Sequence, residues 1–217
     1  YQTAKLTYES SSPFGNAISE FQQFLVDFPE TEYRREVNEY LANLYITSKD
    51  YTRAMSAIIQ TGMSSMAMRE AYQRVAYYRA VEFYHISSWK KAKEFFTKSL
   101  TYPQNLTYVA LAHFWMGELA YKKNDPQEAL ARFESFLKTP GSYTLSERPV
   151  SLYNKAYCLY RLNRLDDAAA AFRVFIQDAE EENKRKNDAT LRLADLYFLM
   201  GKYSLAEEYY KTFTAAT

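Results

Sequence analysis

Six alanines recur along the chain at nearly constant intervals. Ala17, Ala54, Ala92, Ala129, Ala168 and Ala206 are separated by 37, 38, 37, 39 and 38 residues. A period of this size means that one supersecondary unit is copied along the chain, and no other feature restricts the fold as much. Four residues after each alanine stands a large apolar side chain: Phe21, Ile58, Phe96, Phe133, Phe172 and Tyr210. Positions i and i+4 share one face of an α-helix, so each pair predicts a helix with an apolar stripe. Upstream lies a second set of small residues, Ala42, Ala80, Gly117, Ala156 and Ala194, each followed three places later by Tyr45, Phe83, Ala120, Leu159 or Tyr197. That set predicts a first helix in each of these copies. Small residues let two helices approach closely, and the large ones fill the gaps beside them.

Local signals agree with this division. Asp125 suits an N-cap, Pro126 a first helical position, and Glu128 the third residue of a capping box. The stretches "TSKD", "LNR" and "MG" mark the turn between the two helices in other copies. Pro29, Pro103 and Pro140 fall near the ends of second helices, where proline stops a helix. Only 5 glycines and 6 prolines in 217 residues mean few turns and long elements. The segment "EEENKRK" offers Glu180–Lys184, Glu181–Arg185 and Glu182–Lys186 at i, i+4, which reads as a solvated helix face.

Charge and composition exclude several functions. Twenty-seven basic and 26 acidic residues leave a net charge of +1, without the positive excess of a nucleic-acid-binding face. The single Cys158 cannot form an internal disulfide. The most apolar window, "VALAHFWMGELAY", is broken by His and Glu and is shorter than a membrane span. The opening "YQTAKLTYES" has no initiator Met and reads as the inside of a longer protein, so an address label is expected to lie elsewhere.

Catalysis requires a nucleophile, a base and an orienting group at one point. The candidates are His85, His113 and Cys158, all set in apolar helical patterns without partner motifs. No zinc, calcium or phosphate-loop spacing occurs, so no enzyme activity, metal or cofactor is expected.

The order small residue, aromatic, turn, alanine, aromatic, proline resembles the tetratricopeptide repeat. Six copies cover almost the whole chain, at about 1–31, 35–68, 73–106, 110–143, 149–182 and 187–217. They are a few residues longer than the usual repeat. Arg79 stands where a large apolar residue is common, and the fourth copy moves its tyrosine to Tyr121. The longer copies, with a second helix ending in "FLVDFPET", resemble bacterial repeats of the TolA-binding and outer-membrane assembly lipoprotein type.

The resemblance implies an all-α fold: one domain, a right-handed superhelical solenoid of about twelve antiparallel helices, with first helices lining a concave groove. It implies a protein or peptide partner, no nucleic acid and no membrane insertion. A periplasmic or outer-membrane-associated place follows from the subfamily, with the cytoplasm as the alternative. Carried over copy by copy, the groove residues are Asn43 in the second copy and Tyr77 and Tyr84 in the third. The fourth gives Phe114, Tyr121 and Lys122; the fifth gives Tyr153, Tyr157, Tyr160 and Arg161; the sixth gives Phe198. Tyr153, Tyr157 and Tyr160 form one stripe at i, i+4 and i+7, and tyrosine with arginine is favoured at binding hot spots. The stripe has a second reading as packing between helices. The family's clamp for a C-terminal carboxylate is not formed: Asn43 matches it, but Glu39 replaces its lysine and Tyr78 replaces a polar donor. Two further readings are a structural module that self-associates through open solenoid ends, and a regulatory domain of a larger signalling protein.

Overall fold

The structure, a computed structural model, describes residues 1–10, 14–178 and 184–215. Among them are twelve α-helices and no strand: α1 (Gln2–Glu9), α2 (Phe14–Asp27), α3 (Arg34–Thr47), α4 (Tyr51–Gln60), α5 (Met66–His85), α6 (Trp89–Ser99), α7 (Leu106–Lys122), α8 (Pro126–Lys138), α9 (Arg148–Arg161), α10 (Leu165–Asp178), α11 (Lys184–Leu199) and α12 (Tyr203–Ala215). A 3-10 turn at Ser142–Thr144 joins α8 to α9. The acidic halves of the Glu180–Lys184, Glu181–Arg185 and Glu182–Lys186 pairs lie outside the described residues.

The chain forms two compact units, Tyr1–Tyr108 and Val109–Thr217. In the first, α3 packs on α4 and α5 on α6; in the second, α9 packs on α10 and α11 on α12. The core of the first unit gathers Phe21, Val37, Leu44, Ile58 and Val75, and that of the second gathers Phe133, Phe136, Phe172, Phe175 and Leu193.

The repeated register is the packing register. All six alanines are buried, and Phe21, Ile58, Phe96, Phe133 and Phe172 are completely so. Tyr210 is the half-buried member, with its hydroxyl donating to Asp195 Oδ1 at 2.8 Å. The small residues of the first helices, Ala42, Ala80, Ala156 and Ala194, are fully buried too. Gly117 shows why: a Cβ there would lie 2.8 Å from the ring of Phe133.

The first helices α3, α5, α7, α9 and α11 end in the same way. Lys49, Ser87, Asn124, Asn163 and Gly201 adopt positive φ, between 56° and 71°. The next N–H donates back five residues: Asp50 to Tyr45 O, Ser88 to Phe83 O, Asp125 to Ala120 O, Arg164 to Leu159 O and Lys202 to Tyr197 O, at 2.8–3.0 Å. This is the Schellman C-cap, which satisfies the orphan carbonyls of the last turn. Four of the five copies therefore hold a side chain where glycine is the least strained choice.

The second helices start as the sequence predicts at Asp125, whose carboxylate accepts from the Glu128 N–H at 3.0 Å with Pro126 at the first helical position. The Glu128 carboxylate in turn accepts from Arg132 Nε at 2.9 Å. The largest boundary difference is at α5. The third copy was expected from residue 73, but α5 begins at Met66, because the Ser65 side chain accepts from the Met68 N–H and caps an earlier start.

Candidate peptide-binding surface

In the second unit the first helices α7, α9 and α11 are tied by side chains in a row. Asn154 on α9 donates to Glu118 Oε1 on α7 at 2.6 Å. Burial holds the Glu118 carboxyl above its usual range, against the Asn154 hydrogen bond and the charges of Lys122 and Arg185. The Arg161 guanidinium lies 4.5 Å from the centre of the Tyr121 ring and donates to Asn124 Oδ1 at 3.3 Å. On the other side, the Tyr153 hydroxyl donates to Asp188 Oδ2 on α11 at 2.7 Å, and the Tyr157 hydroxyl donates to the same oxygen. Arg192, one turn on, stands 3.6 Å from Asp188 and 2.8 Å from Asp195.

The tyrosine stripe therefore divides. The Tyr153 ring packs on Phe175 at 5.3 Å and the Tyr157 ring on Phe172 at 5.2 Å. Burial, then the Asp188 hydrogen bond, raises both phenols. These two tyrosines join α9 to α10 and α11 and expose only an edge. Tyr160 is 38% exposed and stands beside exposed Arg161. Of the other candidates, Asn43, Lys122 and Phe198 are exposed, and Tyr84 and Tyr121 are half-buried. Two lie deeper than the repeat register implied. Tyr77 is buried against Phe96 and Tyr108, and Phe114 against Phe133 and Phe136. Both occupy the place three residues before the small residue, which points into the helix pair rather than onto its outer face.

Sequence reasoning missed Asn154, Asp188 and Arg192 because each gains its role from a neighbouring copy. The one available signal was register: Asp188 stands six residues before Ala194, as Glu36 stands six before Ala42. Glu36 is likewise an acceptor for the preceding first helix, taking Lys5 Nζ at 3.3 Å as well as the Tyr40 hydroxyl at 3.1 Å.

The candidates for chemistry are dispersed. Cys158 is buried, which pushes its thiol up to about 12 and removes the thiolate at neutral pH. Burial, then the charge of Arg132, lowers the His113 imidazole, and His85 is exposed on another helix. Among the described residues no group of three or more His, Cys, Asp or Glu side chains could hold a metal ion. No helix there is long and apolar enough to cross a membrane.

Further grooves lie elsewhere. Gln22, Leu25, Leu41, Tyr45, Arg53 and Gln60 line a hollow of about 410 Å³ between α2 and α4. Its counterpart between α8 and α10 is crossed by Lys155, 3.3 Å from Glu134. Phe198, Tyr203, Tyr210 and Lys211 line a hollow of about 460 Å³ on α11 and α12.

Comparison with known proteins agrees with the repeat. Tetratricopeptide repeat models match residues 114–183 and 188–215. No curated protein matches the chain by sequence. Among solved structures, the chain is similar to YrrB, described as a TPR protein with an unusual peptide-binding site, at 16% identity and a TM-score of 0.53, over 91% of this chain and 92% of that one. It is similar to BtubC (BKLC) from P. vanneervenii at 13% identity and a TM-score of 0.54, over 98% and 90%. MamA from Desulfovibrio magneticus RS-1 aligns at 11% identity and a TM-score of 0.53, over 84% and 94%. These likenesses concern the fold, a helical-repeat solenoid. With the alanine register buried in every copy and the family models matching the second unit, the chain carries tetratricopeptide repeats at residues 114–183 and 188–215.

Proposed function

We propose that the chain is a non-catalytic module that binds an extended peptide of a protein partner on its first helices. The observation that carries this reading is the pairing of exposed Tyr160 with Arg161 and Tyr121, an aromatic and cationic patch set on a rigid row of helices. Tyrosine offers a large, amphipathic contact at low entropic cost, and arginine adds a planar donor fork. Rigid support keeps such a patch preorganised, which lowers the cost of binding. The description of YrrB as peptide-binding lends support at the level of the family. A cell-envelope assembly is the narrower form of this proposal and rests on repeat length alone.

The test is a selection of displayed random peptides against the full chain, with Tyr160→Ala plus Arg161→Ala as the counter-target. Peptides that bind the natural surface and not the variant support the reading. A selection that yields no such peptides contradicts it. A second reading is favoured by the hollow at Phe198 and Tyr203, which are 56% and 64% exposed: self-association through this face. Sedimentation of Tyr203→Glu against the natural chain separates the two readings, since only self-association makes the sedimenting mass fall.

A further inference from the structure

The turn between α5 and α6 carries an apolar tip beside a basic rim. Ile86 is 71% exposed and Trp89 36%. In the other four turns of this kind the place of Ile86 is held by Ser48, Lys123, Leu162 and Met200. The two apolar ones, Leu162 and Met200, pack against the core of the second unit, whereas Ile86 stands in water. Lys90, Lys91 and Lys93 are exposed on the first turns of α6. Between Arg79 and Lys98 the chain places five basic side chains and two acidic ones, Glu82 and Glu94, although it is near neutral as a whole. Both acids are engaged within the patch, Glu82 with Arg79 and Glu94 with Lys98, each at 2.7 Å.

These lysines stand where a helix least favours them. The second helices α8 and α10 open with acidic residues, Glu128 in one and Asp166 with Asp167 in the other, which suit the positive end of a helix. α6 opens with Trp89, Lys90 and Lys91. The backbone of the tip is closed on itself: the Ile86, Ser87 and Ser88 N–H groups donate to Glu82 O, Tyr84 O and Phe83 O at 3.2, 3.0 and 2.8 Å. Donors satisfied in this way need no water, so the tip can enter a less polar medium at low cost.

We propose that this turn adsorbs on an anionic membrane surface, with Ile86 and Trp89 in the headgroup layer and Lys90 and Lys91 against lipid phosphates. Tryptophan favours that layer, and lysine is drawn to its negative charge. Adsorption by a tip differs from spanning, for which no described helix is long and apolar enough. A nucleic acid would answer the lysines and leave the exposed isoleucine without a counterpart; a lipid surface takes both. The site lies in the first unit, away from Tyr160 and Arg161 in sequence, and does not depend on the peptide-binding reading.

The experiment uses the full chain with sucrose-loaded vesicles of phosphatidylcholine alone, and of phosphatidylcholine and phosphatidylglycerol in equal parts, at low ionic strength. Co-sedimentation and tryptophan emission are read. The expected result is binding to the anionic vesicles, weakened by salt, with a blue shift of emission that Trp89→Phe removes. Lys90→Glu is expected to weaken partitioning roughly tenfold or more. Lys138→Glu, the same change at an exposed residue of α8, is expected to leave it nearly unaltered. Ile86→Ser is expected to weaken partitioning and Ile86→Trp to strengthen it. The melting temperature of Lys90→Glu is expected to hold or rise, since glutamate suits that helix end better, so loss of binding cannot be ascribed to unfolding. No binding to anionic vesicles, equal binding to both kinds, equal losses in Lys90→Glu and Lys138→Glu, or no response to either change at Ile86 each overturns the proposal. Binding of a DNA duplex that Lys90→Glu abolishes, without binding of vesicles, assigns the basic rim to nucleic acid and overturns it as well.

Discussion

Seven residues past the repeat alanine, the two units use different chemistry. The second unit places Phe136 and Phe175 there, both fully buried. The first unit places a half-buried Phe24 there in its first copy, but Thr61 and Ser99, both buried, in its next two. Each polar residue finds an acceptor: Thr61 Oγ1 donates to Ile58 O at 2.6 Å, and Ser99 Oγ donates to Gln73 O at 2.9 Å. Gln73, itself fully buried, donates to Asn105 O at 3.0 Å and accepts from the Asn105 N–H at 2.7 Å. One unit thus closes its helix pairs with aromatic volume, the other partly with hydrogen bonds. The family models match residues 114–183 and 188–215, which lie in the aromatic unit. The alanine register runs through both. Close approach at the alanine is the fixed requirement of the repeat, and the filling beside it is exchangeable where, as at Thr61 and Ser99, the polar atom is paired.

This contrast breaks most visibly at the aromatic positions. Phe175→Ala should cost about 3–5 kcal/mol in urea unfolding, the usual range for emptying a buried phenylalanine site. Thr61→Ala, at the matching place in the first unit, should cost no more than about 1 kcal/mol, and equal losses would dissolve the distinction. Next in size is Gln73→Leu, which strands both the N–H and the carbonyl of Asn105. A loss of roughly 2–3 kcal/mol is expected, with faster amide exchange at Asn105 as the local sign. Gly117→Val should cost about 1–3 kcal/mol, because the fully buried Phe133 ring stands 2.8 Å from the new Cβ. The smallest effect belongs to the turns: Ser87→Gly should gain about 1 kcal/mol by relieving a left-handed serine, and Gly201→Ala should lose a similar amount.

Much of the fold could be read from the residues, because helical periodicity and a copied register are local properties. Ala129, Phe133, Ala168 and Phe172 sit where the spacing put them. The left-handed turns at Lys49 and Ser87 were hidden, since neither residue type advertises positive φ. The early start of α5 escaped because a serine cap is a weak signal when the repeat register points later. The candidate surface was less legible. Spacing put Tyr153, Tyr157 and Tyr160 on one face, but what covers that face is decided by Asp188, Phe172 and Phe175 from other helices. Tyr77 and Phe114 looked like groove residues by register alone, and the depth of a side chain depends on neighbours that register does not name.

The central claim is that Tyr160 and Arg161 serve a partner, while Tyr157 serves the fold. It is tested most directly by taking one selected peptide and measuring affinity and melting temperature for Tyr157→Ala, Tyr160→Ala and Arg161→Ala. The account predicts that Tyr160→Ala and Arg161→Ala weaken binding by about 2 kcal/mol, roughly thirtyfold, at an unchanged melting temperature. It predicts that Tyr157→Ala lowers the melting temperature, since the Asp188 bond and the Phe172 contact are lost together. If Tyr160→Ala and Arg161→Ala leave affinity unchanged, the binding surface lies elsewhere and the claim fails.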